Sequence, residues 1–294
     1  MSGRAVSIDG VVVGPGAAQI SVYDRGFLYG DAVFEVLRTY RGVPFALDEH
    51  LARLRRSAER VFIVLPVDDA TLRGDVERTV AAAGNDESYV RVVVTRGSGP
   101  LSLDPATAGT PLRVVLVELV VPPPREHYAH GIGAILLRSR RATDDTEAAG
   151  AKVGNYLANL LALREAKARG AQEALIVDGE GRVVEGASSN VFVVRAGHLV
   201  TPPASAGILV GITRGYILAA ARALGLPVEE RTLSPADVTG ADEVFITSSI
   251  REVLPVVRVD DAPVGAGVPG AVTRSLHRRF REHAGMYERP MPWD

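Results

Sequence analysis

Four sets of residues in this chain are of types that do chemistry. Lys152, in AKVGNYLANL, stands just ahead of an apolar stretch that reads as a buried helix. A lysine amine is chemically useful when it is uncharged or tied to a carbonyl as a Schiff base, and both states are favoured where water is scarce. Glu185, in VVEGASSNVFVV, brings a carboxylate into a run of small residues between two apolar strands, where backbone can approach closely. Gly211, Ile212 and Thr213, in GILVGITRGYILAAARALG, mark the start of an apolar helix. The unpaired N–H groups and positive dipole end of such a start suit a phosphate. Arg53, on a helix read over 48–62, offers a planar fork that can hold a phosphate through two bonds.

Taken singly, each has a plainer reading: a solvated lysine, a polar hairpin loop, a glycine-broken capped helix, an arginine snorkelling to solvent. Together they are the set that pyridoxal 5′-phosphate needs. Its aldehyde takes the amine, its phosphate takes the helix start and the arginine, and the carboxylate keeps its ring nitrogen protonated so that the ring accepts electrons.

Two α/β (α+β) domains must position these groups. VSIDGVVV reads as a hairpin, and 32–47 as two strands turning at Arg41-Gly42. Asp48 reads as the N-cap of a helix whose Leu51, Leu54, Ala58 and Val61 recur at helical spacing. A second helix fits 69–83, ended by Gly84, with strands at 89–95 and 112–121. Three consecutive prolines in VPPPREHYAHG cannot continue a strand, which makes 121–131 the linker between a small N-terminal domain (1–120) and a larger C-terminal one (132–294). The second domain reads as a strand at 132–138, a helix over 155–169, a hairpin at 174–185, a strand at 190–195, a helix over 212–224 and strands near 227–232, 242–247 and 253–259.

Composition narrows the function classes. The chain is 294 residues long, 47% hydrophobic and 23% charged, with a formal net charge of -2, so nothing draws it to nucleic acid or to an acidic membrane. The basic run RSLHRRFRE reads as the solvated face of a C-terminal helix. The chain has no cysteine, which excludes disulfides and thiolate metal sites and fits a reducing cytoplasm. His127 and His130 lack a third ligand, so no metal is expected. GAGVPG matches G-x-G-x-x-G, but its proline and position do not fit a strand–turn–helix unit, and it reads as a loop.

The stretches GDAVFEVLRTYRG, DEHLARLRRSA, YVRVVVTRGSGPLSLDP, KVGNYLANLLALREAKARGAQEALIVD, VVEGASSNVFVV, GILVGITR and ADEVFITSSIREVLPVV run in one order over residues 20–260. In them the chain resembles the class IV (fold type IV) pyridoxal-phosphate enzymes: branched-chain and D-amino acid aminotransferases, aminodeoxychorismate lyases and (R)-amine transaminases. The resemblance implies a homodimer, with the active site between the domains and a loop lent by the neighbouring subunit. It implies that Lys152 carries the Schiff base and shuttles the proton, that Glu185 pairs with the pyridine nitrogen and that Tyr156 bonds the phenolic oxygen. It further implies that Leu209 packs on the ring and that Arg53, Ile212, Thr213, Ser248 and Ser249 serve the cofactor, mostly at its phosphate.

For the substrate the signals divide. Tyr89 and Arg91, two apart on a strand, share one face. The same Tyr-x-Arg, with Tyr29, Phe34 and Arg38, resembles the branched-chain pocket. Leu101 and Leu103 stand where the D-amino acid enzymes use an arginine and a histidine, and two apolar side chains cannot trap a carboxylate. Against this, Val36 replaces a glycine, and Ile250 and Arg251 replace a small pair in the loop whose backbone receives the α-carboxylate. The expectation is a transaminase moving the amino group of a hydrophobic, L-branched-chain amino acid to 2-oxoglutarate. D-amino acid or (R)-amine donors, a lyase of the aminodeoxychorismate type and a non-catalytic cofactor-binding protein are the alternatives.

Overall fold

The computed structural model describes residues 3–139, 146–286 and 289–294. The chain divides into two compact units. One holds the described residues through Val121 together with 146–156, and the other holds those from Pro122 onward apart from that segment. The stretch carrying Lys152 thus packs with the first unit.

In chain order the first unit has β1 (Ala5–Ile8), β2 (Val11–Val13), α1 (Arg25–Tyr29), β3 (Ala32–Tyr40), β4 (Val43–Pro44), α2 (Leu47–Arg60), α3 (Asp69–Ala83), β5 (Ser88–Thr95) and β6 (Arg113–Leu119). The strands lie in the order β2-β1-β6-β5-β3-β4, every pair antiparallel. The β1–β2 hairpin turns on Asp9 and Gly10, both at positive φ, as the right-handed twist of a two-residue hairpin requires. Along β5 burial alternates: Val90, Val92 and Val94 enter the core with Val33 and Leu37 of β3, while Tyr89 and Arg91 face the other way.

Helix α2 buries Leu47, His50, Leu51, Arg53, Leu54, Ser57 and Ala58, a stripe at helical spacing that contains three polar residues. Its start differs from the sequence reading. Leu47 already belongs to the helix because its side chain is needed in the core, and Ala46 takes the cap position in the left-handed conformation. Asp48 therefore lies in the first turn, where it favours the helix dipole and pairs with Arg73 of α3.

The second unit has α4 (Arg125–His130), β7 (Ile132–Arg138), α5 (Leu157–Ala168), β8 (Glu173–Val177), β9 (Val183–Gly186), β10 (Asn190–Arg195), β11 (His198–Thr201), α6 (Ile212–Ala223), β12 (Val228–Glu230), α7 (Pro235–Thr239), β13 (Glu243–Ser248), β14 (Glu252–Val259), β15 (Ala262–Pro263) and α8 (Ala271–His283). Its mixed sheet runs β12-β11-β10-β13-β14-β7-β8-β9, with β15 on β14. The proline segment read as a linker goes straight into α4, with Pro124 as the residue before the helix, where its missing N–H breaks no helical hydrogen bond.

Helix α5 is not the buried helix its apolar sequence suggests. Its small residues Ala162 and Ala166 pack on the sheet with Ile135, Ala174 and Ile176, while Leu157, Leu160 and Leu161 stay 62%, 62% and 52% exposed. Helix α8 is two-faced: Thr273, Leu276, His277 and Phe280 are buried, and Arg278 and Arg279 are solvated. GAGVPG is the loop that leads into it. No described helix is long and apolar enough to cross a membrane.

Candidate active site

Lys152 is held by its own backbone first. It lies on an extended arm that adds an isolated antiparallel bridge, Val153 to Val33, beside β3. Phe34 N–H donates to the Lys152 carbonyl at 3.0 Å, and Gly154 N–H donates to the Ala32 carbonyl at 2.7 Å. The Lys152 N–H donates to Ser57 Oγ of α2 at 3.1 Å. Gly154 must lack a side chain here, because a Cβ would stand 2.9 Å from the Gly30 carbonyl oxygen.

With the backbone fixed, the amine has a defined place. Lys152 Nζ donates to the Tyr156 hydroxyl at 3.0 Å and sits 4.5 Å from the centre of the Phe34 ring. The Phe34 and Tyr156 rings meet edge to face, 5.0 Å apart. Two aromatic surfaces therefore exclude water around a half-buried amine whose direction is set by a phenol.

Strand pairing brings the expected pocket residues onto one face. Arg38 pairs with Tyr89 and Val36 with Arg91, so these side chains share the face of Phe34. Arg91 stacks its guanidinium on Phe34, 3.9 Å from the ring centre. Arg38 is buried, pairs with Glu87 and lies over the Tyr40 ring. Tyr29 ends α1 beneath Arg25, whose guanidinium is 5.1 Å from its ring centre. Arg25 also bonds the carbonyls of Ser102 and Leu103, at 2.7 and 3.3 Å. That hold on the backbone leaves Leu101 and Leu103 facing outward, 74% and 80% exposed.

Arg53 is buried against Glu35, donating from Nε and an η nitrogen to the two carboxylate oxygens at 2.7 Å each. His50, one turn earlier on α2, contacts the same carboxylate through Nδ1 at 2.7 Å. Burial acts to raise the Glu35 pKa, but the Arg53 charge and the hydrogen bonds from Arg53 and His50 outweigh it and hold the carboxyl at about 2. Burial lowers the His50 pKa, so its ring is neutral near pH 7 and donates Nδ1–H to the anion.

In the second unit, Glu185 lies half-buried on β9, and its carboxylate accepts the Leu209 N–H at 3.1 Å. Asn190 donates to the Leu209 carbonyl at 2.8 Å, which fixes the segment leading into α6. That helix starts at Ile212 with Gly211 as cap, no side-chain cap bond and no acid in its first turn. A Cβ on Gly211 would stand 2.1 Å from Asn190 Oδ1. Thr213 is buried and Ile212 half-buried. Ser249 and Ile250 lie in the turn between β13 and β14, and Ser248 Oγ accepts both the Arg251 N–H and its Nε–H. The Arg251 charge is directed at the buried Glu173, 2.8 Å away.

Sequence reasoning passed over Glu35, His50, Ser57, Arg25, Asn190 and Glu173. Three of them had a visible signal: Glu35 alternates with Val33 and Leu37 on the buried face of β3, and His50 and Ser57 fall in the apolar stripe of α2.

Residues 32–259 match the family model for amino-transferase class IV. The chain is 37% identical to a putative branched-chain-amino-acid aminotransferase of Methanocaldococcus jannaschii, covering 94% of this chain and 95% of that one. It is 34% identical to the D-alanine aminotransferase of Bacillus licheniformis, covering 87% and 89%. In structure it matches the branched-chain amino acid aminotransferase of Thermoproteus uzoniensis with norvaline, at a TM-score of 0.87, 31% identity and coverage of 98% and 97%. The chain belongs to the class IV aminotransferases, of branched-chain or D-amino acid type, and it is a transaminase of fold type IV.

Class IV aminotransferases work with pyridoxal 5′-phosphate, and the residues present fit that group. The first unit offers an oriented amine beside a phenol. The second offers an anchored carboxylate and a helix start free of competing acids.

Proposed function

We propose that this transaminase takes its amino group from a hydrophobic, L-branched-chain amino acid and passes it to 2-oxoglutarate. The observation that carries this reading is the shared face of Phe34, Arg38, Tyr89 and Arg91, with Phe34 against the Lys152 amine. Aromatic walls suit an aliphatic side chain, and Arg91 and Tyr89 offer donors for the distal carboxylate of the acceptor, with Arg38 held behind them by Glu87. Leu101 and Leu103, exposed on their own chain, would bring apolar surface and no carboxylate trap to the pocket of a second copy.

In this reading Arg53, Ile212, Thr213 and Ser249 would hold the cofactor phosphate, Ser248 would serve the cofactor beside them, Leu209 would pack on its ring and Tyr156 would bond its phenolic oxygen. When bound, the ring supplies an electron sink next to the substrate's Cα. Glu185, kept in place by the Leu209 N–H, holds the proton on the ring nitrogen. Lys152 Nζ would take the Cα proton and hand it to the cofactor carbon that carried the aldehyde, and the Tyr156 hydroxyl keeps that nitrogen aimed between steps. Phe34 and Tyr156 keep water from the moving proton. The turn 248–251 receives the substrate's α-carboxylate on its backbone.

The protein works as a homodimer in the cytoplasm. Exposed apolar side chains on each unit, Leu101 and Leu103 on one and Leu157, Leu160 and Leu161 on the other, support burial by a second copy. A chain without cysteine suits a reducing compartment. Light scattering on a gel-filtration peak should give twice 31.2 kDa.

The decisive experiment follows the cofactor absorbance in half-reactions with L-leucine, D-alanine and (R)-1-phenylethylamine. L-leucine should discharge the colour fastest, and a faster reaction with D-alanine would make the chain a D-amino acid enzyme. Lys152→Ala should stay folded and lose transamination by at least ~10³-fold, the scale of a removed general base. Near-normal turnover of leucine by that variant would sink the role given to Lys152.

A further inference from the structure

Glu173 opens β8 and is fully buried, at 0% exposure, yet no step of the reaction uses it. Its carboxylate accepts the Ala174 N–H at 3.0 Å, the Ser189 hydroxyl at 2.9 Å and a guanidinium N–H of Arg251 at 2.8 Å. Arg251 spreads its remaining donors over two more segments. One η nitrogen donates to the carbonyl and hydroxyl of Ser188, at 2.8 and 2.9 Å, and Nε donates to Ser248 Oγ at 3.1 Å. The Arg251 carbonyl is held in turn by the Tyr128 hydroxyl of α4 at 3.1 Å.

These bonds join two turns that matter. Ser188 and Ser189 close the turn that directly follows Glu185 and Gly186, with Gly186 N–H donating to the Ser189 carbonyl at 2.7 Å. That turn is packed so closely that a Cβ on Gly186 would stand 2.1 Å from Ser189 Oγ and 3.2 Å from the Glu173 carboxyl carbon. On the other side, Ser248 and Arg251 bound the turn between β13 and β14, and Glu252 just after it sits at a φ of 56°, held by His277 of α8 at 2.6 Å. With its charge met by Glu173 and its fork divided among three partners, the Arg251 guanidinium has little left to offer a ligand.

We propose that Arg251 is a positioning residue: by gripping Glu173 and Ser188 it locks the 248–251 turn to the turn behind Glu185, and so sets where the substrate's α-carboxylate can be received. This rests on the reading above that the 248–251 turn takes that carboxylate. Arg251 then governs recognition of carboxylate-bearing donors without touching them. A direct receptor and a latch predict opposite results when Glu173 loses its charge. Freeing a receptor arginine improves or preserves binding, whereas opening a latch weakens it.

The test uses the holoenzyme and two donors that differ only in the group at issue, L-leucine and 3-methylbutylamine, with second-order rates of cofactor discharge as readout. Arg251→Ala, Glu173→Gln and the double variant should each lower the L-leucine rate by the same factor, on the order of 10- to 100-fold, as expected for a misplaced binding group. The rate with 3-methylbutylamine, which has no carboxylate for the turn to receive, should fall far less. Arg251→Lys keeps a charge opposite Glu173 and therefore the fold, but one ammonium cannot serve Glu173 and Ser188 together, so it should lose an intermediate amount. A Glu173→Gln or Arg251→Lys enzyme with the wild-type L-leucine rate overturns the proposal. So does an equal fall with both donors, which would mark general damage. Failure of the underlying reading shows separately and before any variant is made: the wild type would then react with L-leucine no faster than with 3-methylbutylamine.

Discussion

Glu35 in the first unit and Glu173 in the second are both fully buried carboxylates met by an arginine, but they are fastened in different ways. Glu35 receives both donors of one Arg53 fork and the His50 ring, all from helix α2, so a single strand is clamped to a single helix. Glu173 receives one donor of Arg251, and that arginine gives the rest of its fork to Ser188 and Ser248. One acid concentrates its partners and fixes the arginine. The other shares its arginine and ties separate turns together. A concentrated pair should therefore act mainly on stability and on the aim of Arg53, and a shared one mainly on the geometry of a binding turn.

The largest expected effect tests the first half of that contrast. Glu35→Ala leaves Arg53 buried without its counter-charge, and breaking a buried pair from one side costs about 3–5 kcal/mol. Urea unfolding of the two proteins at pH 7 would measure it, and a cost near zero would mean that Arg53 finds another partner. The same acid has a pH signature. Its pKa falls from 4.5 to about 2 on folding, so its stabilisation is complete above about pH 4.5 and is lost as pH falls toward 2. At about 1.4 kcal/mol per unit this amounts to about 3 kcal/mol. Glu35→Gln should be less stable than the wild type at pH 6 and should close that gap as the solution is acidified. A gap that stays constant down to pH 2 would show that Glu35 is not the titrating group.

Next in size is Glu173→Gln, read now for stability. The amide keeps the shape and one acceptor, and Arg251, which is partly exposed, can turn to water, so the cost should be about 1–3 kcal/mol, below that of Glu35→Ala. If melting temperatures place it above Glu35→Ala, sharing an arginine does not soften the loss of its acid.

These two acids also show what sequence could and could not reveal. Elements with strong alternation or caps were legible: 69–83 ending at Gly84, 190–195, and the strands beside Arg41-Gly42. Fold type IV and the transaminase class were legible because the motifs run in order over most of the chain, and the match over 32–259 bears them out. Glu35 was readable in principle, as an acid on the buried side of an alternating strand. Glu173 was not, because its partners lie 16 and 78 residues away and only pairing of β8 with β9 and the β13–β14 turn brings them to it. The start of α2 and the outward leucines of α5 were missed for a related reason. Side-chain demand in the core, set by packing, overrode the cap residue and the bulk hydropathy.

The smallest expected effect comes from a third acid, which shares the Glu35 pKa without its burial. Asp237 is also held at about 2, by the Ser234 N–H and hydroxyl first and then by Arg231. It does this as half of a capping box on the five-residue helix α7, near solvent. Water can replace most of what Asp237 loses, so a depressed pKa here carries far less stability than the same value in the core. Asp237→Ala should cost about 1 kcal/mol, the scale of one lost cap, and salt should screen part of it. Were urea unfolding to show Asp237→Ala as damaging as Glu35→Ala, burial would not be what separates the two, and Glu173, held by hydrogen bonds much as Asp237 is, would have to be grouped with them. A small cost for Asp237, beside a large one for Glu35, instead isolates removal from water as the source of the stability that Arg53 and Glu35 share.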